Sequence, residues 1–394
     1  MPAASTCRRQ PRRRHRRRRR PERWPGRERR PSALSVSSSG SLLRLGWWWT
    51  FGDDGEVATM IEVAREAGVS AMTVSNVING RPGVSAATRR RVLDAVAKLG
   101  YQVNLAARHL RAGRTGTVGL IVPDLDGVYY AQLADRLSRR MEGRGHHLAL
   151  VHTAGRRERE LEALSLGRLS MYDGVIMSLI QVEAADLEGP TFDTPVIFIG
   201  ERPVPTTFDH VMMDNVGGAL LATRHLLSTG SRRIAVIGGH HDDEVDNMPT
   251  LRTRGYRQAH AELGAEVDER LAVPLEAFTM EEGYRGLMRL HESGVPFDGA
   301  FALTDAAALG ALRALADLGL RVPDDVQVIG FDNGKETGFL TPRLSSVEPG
   351  NDIMADTVMA LLQERIRPDA ADDGAAPRRH IMLPARLELR ESTR

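Results

Sequence analysis

The sequence is short of several things, and each shortage narrows what the chain does. Cysteine occurs once, at Cys7, so no disulfide framework holds the fold and a reducing compartment suits it. No run of about 18 uncharged apolar residues is present to span a bilayer, and a soluble cytoplasmic protein is expected. Lysine is nearly missing, with only Lys98 and Lys335 among 53 basic residues, and no Gly-x-x-x-x-Gly-Lys-Ser/Thr phosphate loop occurs. No Gly-x-Gly-x-x-Gly follows an apolar strand run either, which disfavours nucleotide chemistry, and no cofactor is expected. The five residues from His240 to Glu244 contain metal-ligating types, but consecutive residues rarely converge on one ion, and a solvated loop is the simpler reading. What is present is ample apolar content: 42% hydrophobic residues in 394 suffice for a sizeable core in two or three domains.

Charge is distributed unevenly. Residues 1–56 hold 15 Arg against 5 acids, residues 57–115 hold nine basic against three acidic residues, and the rest carries a net −14 beneath an overall +2. An acidic body repels a polyanion, so nucleic-acid contact must come from the front, where phosphates can be neutralised. Residues 1–56 combine Arg runs at 12–14 and 16–20 with a Ser-rich stretch at 35–41, show no periodicity, and read as disordered. This extension is taken as dispensable or as lying upstream of a true start near Val57. The alternatives are a basic arm adding DNA affinity, or a targeting signal, which Arg44 interrupts.

Periodicity then divides the chain. Met60, Val63, Ala64 and Ala67 recur at helical spacing, and Gly68 stops that helix in a tight turn. Ser70 can cap a second helix over 71–79 with Val74, Val77 and Ile78 inward, and a third should run from after Ser85 through Val92, Leu93, Val96 and Leu99 to Gly100. Three short helices with a glycine turn make a helix-turn-helix unit over 57–103. Its second helix would offer Ala71, Met72 and Asn76 to base edges. Beyond Thr117 the pattern changes to apolar strands at 118–122, 147–151, 174–178, 196–199, 234–237, 300–303 and 326–329, interspersed with helices at 131–141, 217–227, 280–291 and 306–318. This is the signature of parallel sheets covered on both faces, and nearly 280 residues of it imply two similar lobes.

Residues 59–79 read Thr-Met-Ile-Glu-Val-Ala-Arg-Glu-Ala-Gly-Val-Ser-Ala-Met-Thr-Val-Ser-Asn-Val-Ile-Asn, followed by Val-Ser-Ala-Ala-Thr at 84–88, Leu-Gly-Tyr at 99–101 and Asn-Leu-Ala-Ala-Arg-His-Leu at 104–110. This series resembles the headpiece of the LacI/GalR (lactose-repressor) family. Further matches are Gly-Thr-Val-Gly-Leu-Ile-Val-Pro-Asp at 116–124, Asp-Asn-Val-Gly at 214–217, Val-Ile-Gly-Phe-Asp at 328–332 and Leu-Thr-Pro at 340–342, and the likeness covers about residues 58–394. The resemblance implies an α/β protein with an N-terminal helix-turn-helix headpiece, a hinge helix and linker over 104–115, and a two-lobed, periplasmic-binding-protein-like body with parallel sheets over 116–394. It implies that Thr59, Ser70, Thr73, Ser75, Asn79, Thr88, Tyr101 and Asn104 clamp phosphates, although Ser70, Ser75 and Thr88 would also serve as plain helix caps. Leu110 would wedge into the minor groove with Ala107 beside it. Asn76 stands where many relatives have Arg, and Asn suits adenine where Arg suits guanine.

In the body, the resemblance implies three crossings between lobes, near Asn215, Val347 and Pro377, and a ligand held between them by Tyr129, Ser178, Arg252, Phe278, Thr304, Asp305 and Asp332. For Arg252 and Asp332 an interlobe salt bridge or loop cap is the alternative, and for Phe278 simple core. The chain departs from the family pattern at Gly127-Val-Tyr-Tyr130, at Thr304-Asp305 and at Gly200-Glu201. The expected function is a repressor that binds a palindromic double-stranded DNA operator as a homodimer and responds to a small molecule, a sugar or sugar derivative. A solute-binding protein, or an enzyme on the same body, is the rival reading; the headpiece at 59–110 argues against the first, and the missing nucleotide motifs weigh against the second.

Overall fold

The computed structural model describes residues 58–78, 80–101, 114–125, 127–240, 245–366 and 377–394. The chain divides into two compact units, the first closing at Gln102 and the second opening at Val103.

The first unit contains α1 (Met60–Ala67), α2 (Ala71–Ile78) and α3 (Ala86–Leu99). Their ends follow from local chemistry. Thr59 and Glu62 form a reciprocal capping box, with the Glu62 amide donating to Thr59 Oγ1 at 3.3 Å and the Thr59 amide to Glu62 Oε2 at 2.6 Å. Gly68, at φ 63°, then turns the chain in a conformation that costs glycine nothing. The core is small: Val63, Ala64, Ala67, Val74, Val77, Val92 and Ala95, with Tyr101 packed at its edge. Caps worth about 1 kcal/mol each therefore weigh heavily in a unit of this size.

The second unit begins with β1 (Thr117–Val122), α4 (Val128–Met141), β2 (His147–His152), α5 (Arg157–Ala163), α6 (Leu166–Leu169), β3 (Gly174–Ser178), β4 (Val196–Ile199) and β5 (Asp209–Met213). It continues with α7 (Asn215–Ser228), β6 (Ile234–Ile237), α8 (Met248–Glu262), β7 (Ala272–Val273), α9 (Met280–Glu292), β8 (Gly299–Ala302), α10 (Asp305–Asp317), β9 (Gln327–Phe331) and β10 (Ser345–Glu348), and ends with α11 (Asn351–Ile366), β11 (His380–Leu383) and β12 (Arg386–Glu388). Two six-stranded sheets result, ordered β11-β5-β4-β3-β1-β2 and β12-β10-β9-β8-β6-β7. All pairings are parallel except that β12 runs antiparallel to β10. In the first lobe α4 and α11 cover one sheet face and α5 and α6 the other; in the second, α9 and α10 oppose α7 and α8. Strands such as Gly174–Ser178 and Gln327–Phe331 are buried throughout because both faces are covered.

The chain crosses between lobes three times: after Met213, after Glu348, and between Leu383 and Arg386. The first two crossings lie where the sequence placed them. The third lies beyond Pro377, because residues 380–383 first join the first-lobe sheet, with His380 opposite His210, before the chain passes over. This edge strand is half exposed and its apolar residues do not alternate, so nothing in its pattern marks it.

Candidate functional site

In the headpiece, α2 is positioned by Ser70, whose hydroxyl accepts from the Thr73 amide at 3.2 Å and lies 2.9 Å from the Thr73 hydroxyl. Ser85 and Thr88 repeat the device at the start of α3. Val74 and Val77 face the core, and the helix leaves Ala71 and Met72 exposed, Met72 by 68%, with Thr73, Ser75 and Asn76 half-buried beside them. An unexpected contributor is Arg89, whose guanidinium donates to the carbonyls of Val77 and Arg81 at 3.2 Å each. Its charge sits at the negative end of α2 and ties down the following turn. Only the fold reveals this, since the partners lie 12 and 8 residues away. Asn79, Asn104, Ala107 and Leu110 lie outside the described residues, as do residues 241–244 of the His-Asp cluster.

In the body, the residues of interest sit beyond the carboxyl ends of the strands, where open parallel sheets place their ligands. From the first lobe come Tyr129 and Tyr130 in the first turn of α4, Ser178 at the end of β3, and Glu201 after β4. The two tyrosine rings meet edge-on at 4.9 Å, and the Tyr130 hydroxyl lies 2.9 Å from that of Ser178. Burial raises both phenols above their ordinary range. Burial also raises the Glu201 carboxyl, against the pull of Arg252 across the lobes and of the Met248 amide that opens α8. Behind Glu201, His210 Nε2–H donates to the Gly200 carbonyl at 2.7 Å; burial pushes this imidazole down to about 4, so it stays neutral and can hold that loop.

The second lobe contributes a more tightly bonded set. Arg252, buried in α8, donates through Nε to Asn215 Oδ1 at 2.8 Å and through Nη1 to the Leu303 carbonyl, and its guanidinium stacks 3.5 Å above the Phe331 ring. Its Nη1 lies 3.5 Å from Asp332 Oδ1. Both partners belong to the second lobe, so the pair is not the interlobe bridge that the sequence left open. The close approach of α8 to α7 that seats Arg252 depends on Gly255, where a Cβ would fall 2.2 Å from the Val216 carbonyl oxygen. Asp332 occupies a left-handed backbone conformation at φ 109°, and burial lifts its carboxyl to about 6 despite Arg252. Asp305 accepts from the Ser346 hydroxyl at 2.7 Å and the Gly334 amide at 2.8 Å; burial, followed by the charge of Asp332, raises its carboxyl well above the usual range. Thr304 caps α10 by accepting from the Ala307 amide at 3.2 Å, and the half-buried ring of Phe278 lies against the turn at Gly238.

Tyr129, Glu201, Arg252 and Asp332 act on one another electrostatically across the lobes. Ser178 joins them through Tyr130, whereas Thr304 and Phe278 engage their own lobe. Sequence reasoning gave no ligand role to Tyr130, Asn215 or Phe331; it noted Tyr130 and Glu201 only as departures and Asn215 only as a crossing. Two further contacts pin the lobes at the rim: Lys335 to Asp135 at 3.1 Å and Gln132 Nε2 to Glu336 at 3.3 Å. Among the described residues no cluster of three metal-ligating side chains forms, and no helix is long and apolar enough to cross a membrane.

Comparison with known proteins agrees with this geometry. Residues 59–104 match the model of bacterial regulatory proteins of the lacI family, and residues 223–393 match the periplasmic binding protein-like domain. The catabolite control protein A of Priestia megaterium is 31% identical over 338 residues, covering 85% of this chain and 99% of that protein. The HTH-type transcriptional regulator CelR of Thermobifida fusca is 35% identical over 347 residues, covering 85% and 98%. The solved complex of a transcriptional regulator CelR with cellobiose superposes with a TM-score of 0.60 at 31% identity, over 85% of this chain and 99% of that one. With a capped helix-turn-helix at its front and a two-lobed body behind it, the chain belongs to the LacI family of DNA-binding transcriptional regulators.

Proposed function

We propose that this regulator is a repressor that binds a palindromic operator as a homodimer, under the control of a hydroxyl-rich small molecule, a sugar or sugar derivative, held between its lobes. One observation carries the reading: Tyr129 and Glu201 of the first lobe lie within electrostatic reach of Arg252, and Tyr129 of Asp332, in the second, so a ligand touching all four bridges two bodies joined by three strands of chain. Carboxylates and a guanidinium suit hydroxyl groups, and tyrosine rings suit the apolar face of a sugar. The related CelR bound to cellobiose supports the class. Closure of the lobes would alter the spacing of paired first lobes and so the fit of two headpieces to two half-sites, by no more than the ligand's affinity difference between the two forms.

On the DNA side, Ala71, Met72 and Asn76 read bases. Thr59, Ser70, Thr73, Ser75, Asn79, Thr88, Tyr101 and Asn104 hold phosphates, and Leu110 with Ala107 enters the minor groove. Selection from random duplexes at low salt, with and without a sugar panel, tests the whole. A palindrome is expected, with adenine at one position of each half-site that changes to guanine in Asn76→Arg. Recovery of no palindrome under any condition would overturn the repressor reading.

A further inference from the structure

We propose that Asp173 is a positioning residue for operator recognition: it clamps the chain where the body receives it from the headpiece, and so fixes the separation of half-sites that a pair of headpieces accepts. The proposal rests on the reading that two copies bind a palindrome. A carboxylate whose side chain is only 5% exposed is given over to the incoming chain. Asp173 accepts from the Thr115 amide at 2.5 Å, the Thr115 hydroxyl at 3.0 Å and the Gly116 amide at 2.8 Å, and its own amide donates to the Thr117 carbonyl at 2.8 Å. Arg114 adds one contact, to the Ile366 carbonyl at the end of α11 at 3.3 Å.

The second lobe contains the same device in a different setting. Asp298 also stands directly before a glycine that opens an interior strand, and it accepts from the Arg232 amide at 2.9 Å and the Arg233 amide at 2.8 Å just ahead of β6. Gly174 pairs with Val118 as Gly299 pairs with Ile234, so the two acids occupy matching places in the two sheets. What they hold differs. The segment bound by Asp298 follows α7 closely, and the Ser231 amide already donates to the Leu226 carbonyl of that helix at 3.0 Å, so a packed helix fixes it without the carboxylate. Thr115 instead follows the stretch that joins headpiece to body, and Asp173 sets where that tether ends. Release of Thr115 and Gly116 would lengthen each tether by about 7 Å and a pair of tethers by about 14 Å, roughly four base pairs of duplex.

The test uses the full-length chain and duplexes built from the half-site that selection recovers, held at the selected separation or moved apart by two base pairs. The unaltered protein should lose about 100-fold in affinity on that insertion, because only one headpiece of the pair then engages. Asp173→Ala should cut the loss to about tenfold or less, while affinity for a duplex carrying a single half-site stays as it was. Asp173→Asn keeps the size and one acceptor oxygen and should fall between. Asp298→Ala removes matching amide bonds from the second lobe and should leave the loss intact. A defect in folding alone lowers all affinities together and does not move this ratio. A loss that Asp173→Ala and Asp173→Asn leave unchanged, or that Asp298→Ala reduces equally, would overturn the anchor alone. Recovery of no palindrome by the unaltered protein would overturn the repressor reading, and the anchor with it.

Discussion

The two lobes face each other with unlike surfaces. The first offers a pair of tyrosines in the first turn of α4, a serine at the end of β3 and one carboxylate on a loop that rests on a neutral histidine. The second offers Arg252, Asp305 and Asp332, most of whose hydrogen-bonding capacity is already spent within that lobe. A buried guanidinium or carboxylate must be paired by its own protein before any ligand arrives, because the cost of leaving it bare exceeds what folding can supply. A tyrosine hydroxyl carries a smaller demand, which that of Tyr130 meets on Ser178. The second lobe is therefore the preorganised half of the site and the first the adaptable half.

The sharpest way to break this comparison is Arg252→Ala. It leaves Asp332 buried beside an empty space and should lower unfolding stability by about 3–5 kcal/mol in urea titrations. If it cost no more than Tyr129→Phe, the contrast between lobes would be lost.

Next in size is a divergence with pH. His210 titrates near 4 in the fold, below the unfolded imidazole at about 6.5, so the unfolded chain binds the extra proton in that window. Its contribution is complete above the window and is lost as pH falls through it, by up to about 3 kcal/mol. Asp332 behaves oppositely: its folded value near 6 lies above the unfolded one of about 3.9, so the native chain holds the extra proton and stability rises as pH falls. Unfolding measured from pH 7 to 4 should therefore show a steeper acid loss in Asp332→Asn and a shallower one in His210→Gln. Identical profiles for both would remove the assignment.

A smaller effect is expected from Tyr130→Phe, which deletes the bond to Ser178 and should cost about 1 kcal/mol of stability. Smallest is Lys335→Ala at the seam between lobes, under about 1 kcal/mol and vanishing in high salt, since that pair is largely exposed.

Much of this molecule was legible before folding. The helices at 60–67, 71–78 and 86–99 announce themselves because Thr59, Ser70, Ser85, Gly68 and Gly100 are strong local signals, and caps act over three or four residues. The buried strands at 174–178, 196–199 and 234–237 do so through unbroken apolar runs. Illegible were β5, β7, β10, β11 and β12: β7 is only two residues long, and the others mix polar and apolar types, so no apolar run marks them. The helix carrying Arg252 was missed for a similar reason: Arg, His and Gln interrupt its apolar residues, and its buried face is read from Gly255, Tyr256 and Ala259 only once α7 is packed against it.

By itself the sequence determined the capped headpiece, the two-lobed α/β body and the chemical types that gather at strand ends, because each is written in interactions spanning a few residues. Only the tertiary structure decided that Arg252 and Asp332 share a lobe, that Asp305 is bound to Ser346 and Gly334, that Arg89 steadies the turn after α2 and that Glu201 meets α8. Those pairings join residues from 8 to more than 40 positions apart, and their strength comes from burial that no local stretch of chain can provide.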